Sequence, residues 1–137
     1  MANDKRGAGE DEKRRLISTG SPFERAAGYS RALVSGDFCF VSGTTGYDYT
    51  TMQMPERVED QVRHALTTIE GALGEAGFAM TDVVRAHYIV TGAVLVDRVF
   101  AVLGEVFGEI RPAATMMIAG LIKPEMKVEI EVTAHRP

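Results

Sequence analysis

The sequence is poor in several residue types that mark specialised chains. It has one cysteine, no tryptophan and only 5 prolines in 137 residues. A single cysteine excludes an internal disulfide. Set in the apolar run FCFV, Cys39 reads as a small buried residue of a protein kept in a reducing compartment; a nucleophile would need an activating base that the neighbouring sequence does not supply. No apolar run approaches the ~20 residues needed to cross a bilayer, and the opening MANDKRGAGEDEKRR has no apolar stretch of the kind a secretion signal carries. The expectation is a cytoplasmic protein with no membrane contact, in which residues 1–13 form a disordered charged tail. Positive charge is also lacking. The 15 Lys and Arg stand against 19 Asp and Glu, for a formal net charge of -4, so a nucleic-acid backbone is repelled and nucleic acid is not an expected partner. His64, His87 and His135 fall on separate segments without ligand spacing, so neither a metal site nor a cofactor is expected.

What is present is an ordinary globular pattern, 45% hydrophobic and 25% charged, enough for one domain over residues 14–137. RRLIS (14–18) and ALVS (32–35) read as short strands separated by the turn-rich GSPFERAAG. The turn SGD then leads into FCFVSGT (38–44), giving a hairpin. From 56 to 77, Val58, Val62, Ala65, Leu66, Ile69, Ala72, Leu73 and Ala76 recur at helical spacing, and Gly77 stops the helix. DVVRAHYIV (82–90) is a strand, and Leu95, Val99, Val102, Leu103, Val106 and Phe107 return to helical spacing. ATMMI (114–118) and KVEIEVTA (127–134) are two more strands; the last alternates strictly, with Val128, Ile130, Val132 and Ala134 on one face and Lys127, Glu129, Glu131 and Thr133 on the other.

This predicts an α+β fold with a six-stranded mixed sheet and two long helices on one face. Each helix shields a strip of roughly 10 Å, about two strand spacings, so the second face stays uncovered. Phe38, Phe40, Met116 and Ile118 are expected there among polar groups, and association with copies of the same chain would bury them. SGTTG (42–46) lacks the lysine and following helix of a phosphate loop; its expected role is to present backbone N–H groups and the Ser42 and Thr44 hydroxyls to a small anion. Arg111 precedes Pro112, which biases it to extended backbone. It is a candidate for capturing a ligand carboxylate, although alternation along the strand sets it on the opposite face from Ala114. Arg31 and Arg85 are read first as structural.

Four segments in order, GYSRALVSGDFCFVSGTTG, DQVRHALTTIEGALGEAG, DVVRAHYIV and RPAAT with GLIKPEMKVEIEVTA, resemble the YjgF/YER057c/UK114 (RidA) family across residues 14–135. The resemblance implies a chorismate-mutase-like fold, a homotrimer and clefts at the subunit interfaces. It also implies hydrolysis of reactive enamines or imines of 2-amino acids to the 2-oxo acid and ammonia, with no metal or cofactor, so that the ligand would be a small anion or an imino or oxo acid. The family's pocket tyrosine falls on Tyr29, its Ser-Gly turn on Ser42 and Gly43, and its glutamate on Glu129. The deaminating members read PAR-S/T where this chain has Pro112, Ala113, Ala114 and Thr115, so the arginine that would hold the substrate carboxylate is Ala114. A cysteine found two positions later in many members is Met116.

Hydrolysis of an imine needs a group that orients water. Glu129 is the catalytic candidate, because burial and Glu131 on its own face both push its pKa up. Tyr29, Ser42, Gly43, Thr44, Arg111, Thr115 and Met116 are the candidate substrate-binding residues. Two other functions compete. One is a trimeric module that binds a small metabolite without turning it over, which the missing arginine favours. The other is an endoribonuclease or translation inhibitor, which the acidic charge and the lack of a paired acid and base disfavour.

Overall fold

The structure, a computed structural model, describes residues 14–137; the charged segment 1–13 lies outside the described residues. Six strands and three helices follow in the order β1 (Arg14–Ile17), α1 (Pro22–Ala27), β2 (Ala32–Ser35), β3 (Phe38–Thr44), α2 (Val58–Glu75), β4 (Val83–Val90), α3 (Val96–Phe107), β5 (Ala113–Ile118) and β6 (Val128–His135). All six predicted strands and both long helices are present within a few residues of their expected bounds. The short helix α1 falls in the stretch read as turns. Its signals are local: the Ser21 hydroxyl accepts the Phe23 N–H at 3.2 Å, Pro22 occupies the first turn, and Gly28, at φ 72°, closes the C-terminus.

The strands form one sheet in the order β1-β2-β3-β6-β4-β5. The β4–β5 pair is parallel and every other pair is antiparallel. The last strand in the chain is therefore inserted between β3 and β4. Helices α2 and α3 cover one face. The α2 side chains Val62, Ala65, Ile69 and Leu73 are fully buried against strand residues such as Ile130, Val128 and Val90, and each large aliphatic group contributes about 1.5–3 kcal/mol through the water it leaves. At the surface, Arg98 of α3 clasps Glu59 of α2 with two hydrogen bonds, of 3.1 and 2.6 Å, which hold the Glu59 carboxyl down to about 2.

Among the described residues no helix lies over the second face. Cross-strand rows there run Glu129–Ile89–Met117, Glu131–His87–Thr115 and Thr133–Arg85–Ala113, flanked on β3 by Phe38 and Phe40, which are 41% and 46% exposed. Phe38 and Phe40 are thus where the sequence pattern puts them, but Met116 and Ile118 are not. They pair with the buried Tyr88 and Val90 and belong to the helix-side rows, and Met116 packs against the core. The parity of β5 is fixed by its parallel register with β4, and its own sequence, AATMMI, is apolar on both faces and gives no hint of it.

Candidate functional site

The site is built on an irregularity. Between Val41, paired with Val132, and Thr44, paired with Ile130, β3 has one residue more than β6. Ser42 and Gly43 together oppose Glu131 in a β-bulge, a device that re-aims side chains at functional positions. Gly43 needs to be glycine here, since a Cβ at this position would lie 2.8 Å from Cδ and 3.0 Å from both oxygens of Glu129. The bulge therefore cradles the Glu129 carboxylate. Burial pushes that carboxyl above its ordinary value, Glu131 adds to the rise, and Arg31 opposes it.

Tyr29, Ser42, Gly43, Thr44 and Glu129 are brought to this one end of the sheet. Beside them is a depression of ≈ 520 Å³ lined by Tyr29, Ser30, Leu33, Phe40, Ser42 and Glu131. A smaller one of ≈ 220 Å³, lined by Phe40, Arg85, His87, Glu131 and Thr133, continues along the open face. The Ser42 and Thr44 hydroxyls, expected to face a small anion, donate within the chain. Ser42 Oγ donates to the Ser30 carbonyl at 2.6 Å and Thr44 Oγ1 donates to the Ser42 carbonyl at 2.8 Å. Thr44 is fully buried. The bulge turns it to the helix side, and both hydroxyls serve to fix the loop.

Thr115, Met116 and Arg111 stand apart from this end in the single chain. Thr115 is on the open face in the Glu131–His87 row, two strand spacings or ~10 Å from β6, and accepts a hydrogen bond from Arg85 Nη2 at 3.0 Å. Met116 faces the helices. Arg111 is not extended: its φ is 55°, its N–H bonds the Phe107 carbonyl at 2.9 Å and its Nη1 reaches the Gly108 carbonyl at 3.4 Å. The demands of terminating α3 override the bias that Pro112 imposes, and the residue becomes a left-handed helix cap. On the open face His87 Nδ1 lies 3.3 Å from Glu131 Oε1, an ion pair when the imidazole is protonated.

Arg31, read from sequence as structural, lies at the centre of the site's polar framework. It is fully buried. Its Nη1 donates to the Gly43 carbonyl at 2.8 Å and to Thr44 Oγ1 at 3.1 Å. Its Nε lies 3.7 Å from Glu24 Oε2, and the rings of Tyr49 and Tyr29 are 4.6 and 5.7 Å from its Cζ. An arginine before an apolar strand carries no signal of such burial, because its partners come from α1, β3 and the loop after β3. Cys39 is fully buried and burial pushes its thiol up, as befits a packing residue. Among the described residues no group of three His, Cys, Asp or Glu is arranged to hold a metal ion, and no helix is long and apolar enough to cross a membrane.

Comparison with known proteins places this geometry in context. The family described as Endoribonuclease L-PSP matches residues 19–136. The uncharacterized protein SCO2049 of Streptomyces coelicolor is 30% identical over 123 residues, 89% of this chain and 92% of that one. The RutC family protein PH0854 of Pyrococcus horikoshii is 28% identical over 109 residues, 79% of this chain and 86% of that one. Of solved structures, Rv2704 from Mycobacterium tuberculosis, described as a member of the YjgF/YER057c/UK114 family, aligns at 41% identity with a TM-score of 0.83, covering 90% of this chain and 99% of that one. The YjgF gene product of E. coli shares the fold at 24% identity, with a TM-score of 0.80 over 90% of this chain and 99% of that one.

Proposed function

The chain belongs to the YjgF/YER057c/UK114 family, and on that premise we propose that it hydrolyses a small imine or enamine in a pocket completed by neighbouring copies in a homotrimer. The observation that carries this reading is the Glu129 carboxylate, cradled by the Gly43 bulge in a partly dry position that pushes its pKa up. A carboxylate poised in this way can take a proton from water as the water oxygen bonds to the electrophilic carbon of a protonated imine. The same carboxyl then returns the proton to nitrogen, and ammonia leaves as the C–N bond breaks and the carbinolamine hydroxyl gives up its proton to become the carbonyl. The net reaction is imine plus water to carbonyl plus ammonia.

The trimer is supported by the open face, where Leu33, Phe40 and Met117 stand beside polar groups with no helix of the described residues above them. It would also bring β5 of one copy toward the bulge of another, which is how Thr115 and Arg111 could enter the pocket. The test follows 2-iminobutyrate spectroscopically with ammonia release as the second readout. Wild type should exceed the buffer rate, and Glu129→Gln should remove the excess. Wild type no faster than buffer with this imine and with one lacking a carboxylate would end the hydrolase reading. A second reading, a trimer that binds a small metabolite without turnover, is favoured by one observation: position 114, where deaminating relatives carry an arginine, is alanine.

A further inference from the structure

We propose that Arg31 is a positioning residue of this site, holding the Glu129 carboxylate in place and charged through the backbone of Gly43. The inference rests on the reading of Glu129 as the working carboxylate. The two side chains grip one residue from opposite sides: Arg31 Nη1 bonds the Gly43 carbonyl at 2.8 Å, while the Glu129 carboxylate packs where a Gly43 Cβ would be, 2.8 Å from its Cδ. The bulge thus touches both a buried cation and a half-buried anion, and Gly43 is the residue that links them.

The charge of Arg31 is only partly taken up by Glu24. Its nearest anion, Glu24, lies at 3.7 Å from Nε and is occupied by the hydroxyls of Ser18 and Thr19 and by the Thr19 N–H. Burial acts to raise the Glu24 pKa, and these hydrogen bonds, with a smaller contribution from Arg31, bring it below its ordinary value. Nε and Nη2 make no hydrogen bond among the described residues, and the Tyr29 and Tyr49 rings cover the guanidinium, so water does not screen it. Lys127, two residues before Glu129, turns its ammonium to the Glu56 carbonyl, which leaves the task to Arg31. Glu131, on the same strand and face, repels it and is itself beside His87 of β4. Ile89, opposite on β4, and Gly43 on β3 bring no side-chain charge. Arg31 is the cation that offsets Glu131 and burial.

The test is carbon-detected NMR titration of the side-chain carboxyl of Glu129, assigned with Glu129→Gln, alongside the pH profile of 2-iminobutyrate hydrolysis. Arg31→Gln should move the Glu129 midpoint up and carry the acid limb of the rate profile with it, so that activity recovers as pH rises. Arg31→Lys, which keeps the charge, should return both toward wild type. Glu24→Gln, which leaves the Arg31 charge undivided, should move both down. A folded Arg31→Gln protein whose Glu129 midpoint stays at the wild-type value overturns the proposal, as does one that loses activity equally at all pH values. If Arg31→Gln does not fold, Glu24→Gln decides, and an unmoved midpoint there overturns it too. Midpoints that move as expected in a protein that hydrolyses no imine uphold the positioning role while ending the hydrolase reading.

Discussion

The two faces of the sheet are built from the same strands and behave as different materials. On β6, Val128, Ile130, Val132 and Ala134 are buried under the helices, whereas Glu129, Glu131, Thr133 and His135 alternate with them toward a face that keeps charge, aromatic surface and two depressions. The helix face is buried in one continuous core and specifies the fold. The open face is free of that duty, and it carries the irregular features: the Ser42–Gly43 bulge, the Glu129 carboxylate and the Phe38–Phe40 pair, whose rings stack at 5.9 Å. Residues one position apart therefore answer to different constraints, and substitution can separate them.

The largest effect is expected on the helix face. Ile130→Ala removes a fully buried side chain and should cost about 2–5 kcal/mol in denaturant unfolding, since the cavity collapses only in part. The neighbouring Glu129→Gln should leave the fold intact and remove activity. Next is Gly43→Ala. The added methyl displaces the Glu129 carboxylate, so hydrolysis should fall by the roughly 10²–10⁴-fold that a positioned base supplies, while the circular dichroism spectrum is unchanged. A Gly43→Ala enzyme with wild-type kcat would show that the cradle has no part in the chemistry. On the aromatic stretch of the open face, Phe38→Ala with Phe40→Ala should convert the proposed trimer to monomer by light scattering with the monomer fold retained; a change in melting alone would mean the face is not an interface.

A subtler contrast lies in pH. Because the Glu129 carboxyl titrates above its ordinary 4.5 in the folded chain, the folded state holds a proton that the unfolded state has released. Stability must then fall as pH rises through that window. Glu129→Gln should therefore raise the melting temperature at about pH 7, with the gain vanishing below about pH 4. The smallest effect concerns Arg111, whose φ of 55° disfavours any side chain. Arg111→Gly relieves roughly 1 kcal/mol of backbone strain but gives up a cation at the end of α3 worth about 0.3–1 kcal/mol, so a slight rise in stability is expected. A fall in imine hydrolysis in the same variant would instead give Arg111 a part in the pocket.

The sequence was legible where a single periodicity decides. The α2 stripe and the alternation of β6 gave their elements and buried residues directly, because burial on one side leaves a pattern that no turn or cap disturbs. Strict alternation also put Glu129 on the open face, but Glu131 shares that face, and only the family resemblance singled out Glu129. Legibility ended where a residue's fate depends on distant partners. Met116 took its face from the register with β4, Arg111 its conformation from the end of α3, and Ser42 and Thr44 their hydrogen bonds from the bulge. The burial of Arg31, read as structural, was not legible because its surroundings, Glu24, Gly43 and Tyr49, come together only in the folded chain. Helix α1 was a different miss, since Ser21, Pro22 and Gly28 are local signals set within a stretch too short to show a helical period.

The position of β6 has a consequence in time. It follows every other strand in the chain, yet it lies between β3 and β4 and pairs with both. Until residues 128–135 arrive, the first three strands and the β4–β5 pair have no strand pairing between them, and each half-sheet would show an unpaired inner edge of the kind that recruits foreign strands. Closing the sheet is thus a long-range event, postponed past the two helices and slow by its topology. During synthesis the chain passes through an interval in which the Glu129 cradle does not exist and self-association by strand exchange competes with folding, an interval ended by its final eight-residue strand.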